Sequence, residues 1–177
     1  MSADYMKFKQ WFDHKLEVGA YPNPEMAEWR AEDYAYVINV SGAWYAGEAP
    51  MYHQTRYFWF PMSEGKKDMG MNSIYGALVI LWEAERRNDR VYLHCHSGSN
   101  RSWTVAAAYH YLRTGTHLDR PVKSGPHLNK LLANCDRHYL PHQSEMEAWL
   151  AHLRKELETG MTPSLLTMSK IECINNF

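Results

Sequence analysis

The sequence predicts an α/β domain in which a mostly parallel central sheet is flanked by helices, and three observations carry that prediction. Short apolar runs of strand length alternate with longer segments of helical periodicity, the pattern of strand–helix layering. The best of those runs, Val91-Tyr92-Leu93, opens directly into a polar loop of small residues with a helix behind it. Hydrophobic residues make up 45% of 177 positions, enough for one sizeable core. We assign a single domain to residues 1–160 and a C-terminal tail to 161–177.

The elements follow in order. Leu16-Glu17-Val18 before Gly19 reads as a first short strand and turn, and Asn23-Pro24 as a helix start, with Asn as cap and Pro at the first helical position. Tyr36 to Val40 reads as a buried strand. Arg56 to Phe60, rich in aromatics, reads as another core strand ended by Pro61. Ile74, Ala77, Leu78 and Leu81 recur at helical spacing, which predicts a helix over 72–87. A strand is expected over 90–94, a largely buried helix over 101–113 and another helix over 127–138. Ser144 and Glu147 form a capping box for a last helix, whose apolar face is Met146, Trp149, Leu150, Leu153 and Leu157. Gly160 and Pro163 stop it.

Charge and cysteine content narrow the function. The formal net charge of −1 gives no general attraction to nucleic acid or to an anionic membrane, so neither is expected as a partner. Three cysteines, at 95, 135 and 173, form no CxxC pair, which argues against a disulfide scaffold or zinc ribbon and fits a reducing compartment. Cys135 and Cys173 read as ordinary buried thiols. Met1 to Lys15 has no long apolar run, so no signal peptide is expected, and no stretch of the sequence approaches 18 consecutive apolar residues, so no membrane span is expected; we expect a cytoplasmic protein.

In parallel sheets, ligands bind beyond the carboxyl ends of the strands. The strand at 90–94 ends in His94-Cys95-His96-Ser97-Gly98-Ser99-Asn100-Arg101-Ser102. Backbone amides of such a loop converge on an anion, and the helix start behind it adds positive potential. Arg101 supplies a planar fork of donors suited to two phosphate oxygens. Cys95 lies at the base of this positive field, which favours thiolate over thiol and places a nucleophile under a cradled phosphorus. Ser102 is placed to hydrogen-bond the sulfur and help it leave. The chemistry calls for no metal or cofactor, and strand alternation sends His94 and Cys95 to opposite faces, which argues against a metal cluster here.

This segment resembles the HCxxGxxRS loop of the cysteine-based protein tyrosine phosphatase superfamily, most closely its dual-specificity branch, with the CX5R spacing intact. The resemblance implies that Cys95 is the nucleophile and Arg101 the phosphate clamp. It implies that His96, Ser97, Gly98, Ser99 and Asn100 line the phosphate loop, that Ser102 is the assisting hydroxyl, and that His94 orients the nucleophile. Leu16-Glu17-Val18-Gly19, Tyr36 to Ser41 and Ala107 to Leu112 are similar to flanking elements of the same domains, so the likeness spans residues 14–157.

The general acid departs from the family pattern. Members of the family carry an Asp on a mobile loop upstream of the nucleophile, here the segment Pro61 to Asp68. Glu64 stands 31 residues before Cys95 and Asp68 stands 27 before it. Spacing favours Glu64 and residue type favours Asp68, and either carboxyl group could protonate a leaving oxygen and then activate water. Lys66-Lys67 reads as an exposed face. The expected function is hydrolysis of phosphomonoesters, phosphotyrosine and phosphoserine or phosphothreonine, through a cysteinyl-phosphate. The substrate expected is a phosphorylated protein or a small phosphoester. Two alternatives stay open: a phosphatase for RNA 5′ ends or small phosphoesters, toward which Asn100 points while the lack of loop lysines points away, and a pseudophosphatase that binds phosphorylated partners.

Overall fold

The computed structural model describes residues 10–11, 15–22, 33–42, 55–62, 71–98, 101–116 and 143–160. Its strands are β1 (Gln10–Trp11), β2 (Leu16–Gly19), β3 (Tyr36–Asn39), β4 (Arg56–Trp59) and β5 (Val91–His94), and its helices α1 (Met71–Arg86), α2 (Arg101–Thr114) and α3 (Gln143–Glu158). The sheet runs in the order β1-β2-β5-β3-β4. β1 is antiparallel to β2, and every other pair is parallel. The predicted α/β class, and the strands and helices predicted around positions 16, 36, 56, 72, 90, 101 and 144, are all present.

The register explains the core. Leu16, Tyr36 and Val91 stand side by side, as do Val18, Ile38 and Leu93 two residues on. Side chains alternate along a strand, so these six share one face with Val40 and Cys95. Ile74, Ala77, Leu78 and Leu81 of α1, Val105, Ala106 and Leu112 of α2, and Trp149, Leu150 and Leu153 of α3 close over that face as one cluster. Full burial of each large aliphatic side chain contributes about 1.5–3 kcal/mol.

The second face is unlike the first. Glu17, Val37, Asn39, Tyr92 and His94 alternate with the core residues and are all buried. A sheet with both faces covered is the rule for parallel strands, but here the second face carries acid, amide, phenol and imidazole. Tyrosines outside this set partner two of them: Tyr34 Oη donates to Glu17 Oε2, and Asn39 Nδ2 donates to Tyr57 Oη at 2.9 Å. Burial, then the Glu17 bond, push the Tyr34 phenol far above its ordinary range, so it stays neutral.

Two expectations are corrected, and one strand appears that the sequence does not announce. The aromatic run at 56–60 is an edge strand whose Phe58 and Phe60 pack against the core while Trp59 is 38% exposed. The last helix begins at Gln143, so Ser144 falls inside its first turn instead of capping it. Strand β1 was not anticipated, since two residues carry no periodicity to read. The helix start at Asn23-Pro24, the helix expected over 127–138, the tail 161–177, Cys135 and Cys173 lie outside the described residues.

Candidate active site

β5 stops at His94 because the chain turns there through Cys95 to Gly98 and re-enters regular structure as α2 at Arg101. That stop lies at the carboxyl ends of the two parallel strands that flank it, β2 and β3. Cys95 is a buried free thiol on the α1/α2 face, and its Sγ lies 3.4 Å from Ser102 Oγ. Since Ser102 is the second residue of α2, the sulfur meets both a hydroxyl and the positive end of a helix that runs for 14 residues.

Arg101 is 7% exposed, deep for a guanidinium. Its Nη1 donates to the Met62 carbonyl oxygen at 3.2 Å, which points the fork across the top of the sheet toward the chain leaving β4. The turn after β3 lies alongside, where a Cβ on Gly42 would stand 3.7 Å from Nη1. That turn is itself fixed: the Ser41 amide donates to Asn39 Oδ1 at 2.8 Å, and Trp59 Nε1 donates to Ser41 O at 3.0 Å.

Gly98 has φ +69°, a left-handed conformation that side chains resist. It also lies against the main chain after β2, where an added Cβ would come within 2.5 Å of the Gly19 carbonyl carbon and 2.8 Å of its oxygen. Only glycine satisfies both constraints. The Cys95 amide donates to Gly19 O at 3.4 Å and the Tyr21 amide to His96 O at 3.1 Å. The Cys95 amide is thus engaged behind the loop.

His94 faces away from the sulfur. Its Nδ1 lies 3.3 Å from the Cys95 carbonyl oxygen, which can only accept, so this nitrogen carries the proton. Its ring stacks on Tyr92 with centroids 5.7 Å apart. The imidazole meets the main chain of Cys95 from the face of the sheet opposite the sulfur.

Of the residues expected to form the site, the structure brings Cys95 against Ser102, sets Arg101 beside Ser102 at the start of α2 with its guanidinium on the Met62 carbonyl, places His96, Ser97 and Gly98 in the connecting loop and sets His94 behind it. Ser99, Asn100, Glu64 and Asp68 lie outside the described residues. Sequence reasoning missed Met62, Ser41 and the Gly19–Tyr21 turn. A main-chain carbonyl leaves no mark on sequence; a tyrosine within a fully buried strand does, because its hydroxyl needs a partner.

No family model and no curated protein matches the sequence. Solved structures do. The crystal structure of DUSP15 superposes with a TM-score of 0.60 at 14% identity, covering 88% of this chain and 98% of that one. The core catalytic domain of the PP-IP phosphatase SIW14 from S. cerevisiae gives 0.57 at 12% identity, covering 92% and 98%. Tk-PTP in its active form gives 0.56 at 16% identity, covering 84% and 97%. The chain has the fold these structures share, the protein tyrosine phosphatase/dual-specificity phosphatase-like fold.

Proposed function

We propose that the protein is a cysteine-dependent phosphatase that hydrolyses phosphomonoesters through a cysteinyl-phosphate. The observation that carries this reading is the meeting of Cys95 Sγ, Ser102 Oγ and a buried Arg101 at one helix start. In the first step the Cys95 thiolate attacks phosphorus, the P–O bond to the alcohol or phenol breaks, and a carboxylic acid protonates the departing oxygen. Glu64 and Asp68 are the candidates for that acid. In the second step the resulting carboxylate takes a proton from water, water attacks phosphorus, and the thiolate leaves, eased by Ser102. Arg101 and the loop amides stabilise the equatorial oxygens in both steps, an electrostatic contribution.

We place phosphorylated proteins first among substrates, on the likeness to the dual-specificity branch. The second reading, a small phosphoester, is favoured by one neighbour, whose described activity is that of a PP-IP phosphatase. The loop's lack of lysine weighs against a substrate of many phosphates. Among the described residues no helix is long and apolar enough to cross a membrane. A mechanism that needs a free thiolate suits a reducing compartment, and a cytoplasmic location is part of the proposal.

The test is hydrolysis of an aryl phosphate by wild type and Cys95→Ser with a chelator present. Activity that survives chelation and disappears in Cys95→Ser supports the thiol mechanism; activity untouched by Cys95→Ser overturns it. Asp68→Asn and Glu64→Gln then assign the acid, by which of them removes the alkaline limb of the pH profile. Turnover of a phosphotyrosyl peptide against that of an inositol polyphosphate separates the two substrate readings.

A further inference from the structure

The loop that carries Cys95 is seated on the chain just past β2. Three main-chain contacts make the seat: the Cys95 amide on Gly19 O, the Tyr21 amide on His96 O, and Gly98 pressed on the Gly19–Ala20 peptide. None of them involves a side chain that could rotate to absorb a displacement. Wherever the Gly19–Ala20–Tyr21 turn sits, the loop sits too.

The turn is pinned from β5. Tyr92 Oη donates to the Ala20 carbonyl oxygen at 2.7 Å, across 72 residues of sequence. Tyr92 is fully buried on the face opposite Cys95, so it touches neither the sulfur nor anything bound to it. The strands are built around this bond. Glu17 is the register partner of Tyr92, and Gly19, two residues on, is the partner of His94. The phenol therefore leans along its strand over Gly19. A Cβ on Gly19 would stand 3.2 Å from Tyr92 Cζ and collide with Oη. The glycine clears the path and the hydroxyl uses it. The ring packs between Tyr34, at 5.3 Å, and His94, at 5.7 Å, which fixes its direction. Phenylalanine would fill the same space, so packing alone does not account for the hydroxyl.

We propose that Tyr92 is a positioning residue for the nucleophile loop: its hydroxyl holds the Gly19–Ala20–Tyr21 turn at the height on which the loop rests. Its bearing on catalysis rests on the phosphatase reading, whereas the seat itself can be observed without turnover.

The experiment compares wild type with Tyr92→Phe and with Tyr109→Phe. Tyr109 Oη also donates, to the Glu85 carboxylate and, in a longer contact, to Leu81 O at 3.3 Å, but it lies at the opposite end of the strands, beside Leu16 and Val91. It therefore reports what losing a buried hydroxyl does to the molecule at large. Hydrogen exchange of the Cys95 and Tyr21 amides is followed by NMR, together with kcat/KM for an aryl phosphate. Tyr92→Phe is expected to speed exchange of both amides by about fivefold, the factor one buried hydrogen bond is worth, and to lower kcat/KM by a similar factor. Tyr109→Phe is expected to leave both within twofold of wild type. Exchange in Tyr92→Phe within twofold of wild type overturns the proposal, as does faster exchange with kcat/KM unchanged. A wild type without hydrolysis sinks the phosphatase reading alone, and the exchange of the two amides then decides whether Tyr92 holds the seat.

Discussion

Gly98→Ala is the sharpest perturbation the site allows. The residue sits at φ +69°, and placing an L side chain in that region costs about 1–2 kcal/mol. The methyl group would also come within 2.5 Å of the Gly19 carbonyl carbon and 2.8 Å of its oxygen. These are backbone atoms of a strand end, so they cannot swing aside as a side chain would, and overpacking of this kind costs roughly 1–3 kcal/mol. The two costs together come to about 2–5 kcal/mol, and they fall on whichever partner yields more easily. The strand end is paired within the sheet, whereas Cys95 to Gly98 belong to no ladder, so the loop yields. The loss then appears chiefly in function. Roughly 3 kcal/mol taken from transition-state binding is about a hundredfold in kcat/KM. Urea denaturation is expected to show a smaller loss, about 1–2 kcal/mol. Steady-state hydrolysis of an aryl phosphate checks the first figure. If Gly98→Ala kept kcat/KM within threefold of wild type with unchanged stability, the argument that the loop rests on the β2 turn would be wrong.

Other perturbations probe other links. Ser102→Ala removes the hydroxyl 3.4 Å from Cys95 Sγ, and kcat should fall about ten- to a hundredfold, the worth of one hydrogen bond to a charged group. Because the second step is the one it assists, stopped-flow traces should gain a burst of released phenol; a fall in kcat without a burst would place the hydroxyl's role elsewhere. Tyr34→Phe takes from buried Glu17 its phenol donor and should cost about 1–3 kcal/mol in urea denaturation; a double-mutant cycle with Glu17→Gln that showed additive losses would mean the two do not interact. His110 is held below its ordinary value first by burial and then by Arg113. The unfolded chain therefore binds the proton at higher pH than the folded one, and stability is lost as pH falls from about 6.5 toward the folded value. His110→Gln should lose less stability than wild type between pH 7 and pH 5, and parallel stability curves would refute the assignment.

Legibility followed the locality of the interactions. Strands β2, β3 and β5 announce themselves as short apolar runs, and α1 by its period, because each depends on residues adjacent in sequence. The nucleophile loop is legible for the same reason: Cys95, Gly98, Arg101 and Ser102 act within eight positions of one another. The second face of the sheet was not. Glu17 reads as a polar break in a strand until Tyr34 is seen to face it, and the pairing is written in tertiary structure alone. The partner of Arg101 is a carbonyl, which every residue has. The strand from Arg56 to Trp59 misled because aromatic content reports affinity for a pleated surface and not whether the strand lies inside or at the edge of its sheet.

On the proposed function, the contacts around Cys95 also bear on when the site is assembled as the chain folds. Cys95 and Arg101 are neighbours in sequence, yet the carbonyl that orients Arg101 comes from 39 residues away and the hydroxyl–carbonyl bond at the seat spans 72. Contacts of such separation require large loops to close and belong to the slow, late part of assembly. A chain with only its helices and local turns formed has the thiol but neither a clamped arginine nor a fixed loop. Its chemistry is therefore a property of the closed sheet. The same dependence runs in reverse, since fraying at the β4 edge would release Met62 and Ser41 and silence the site while most of the core was still intact.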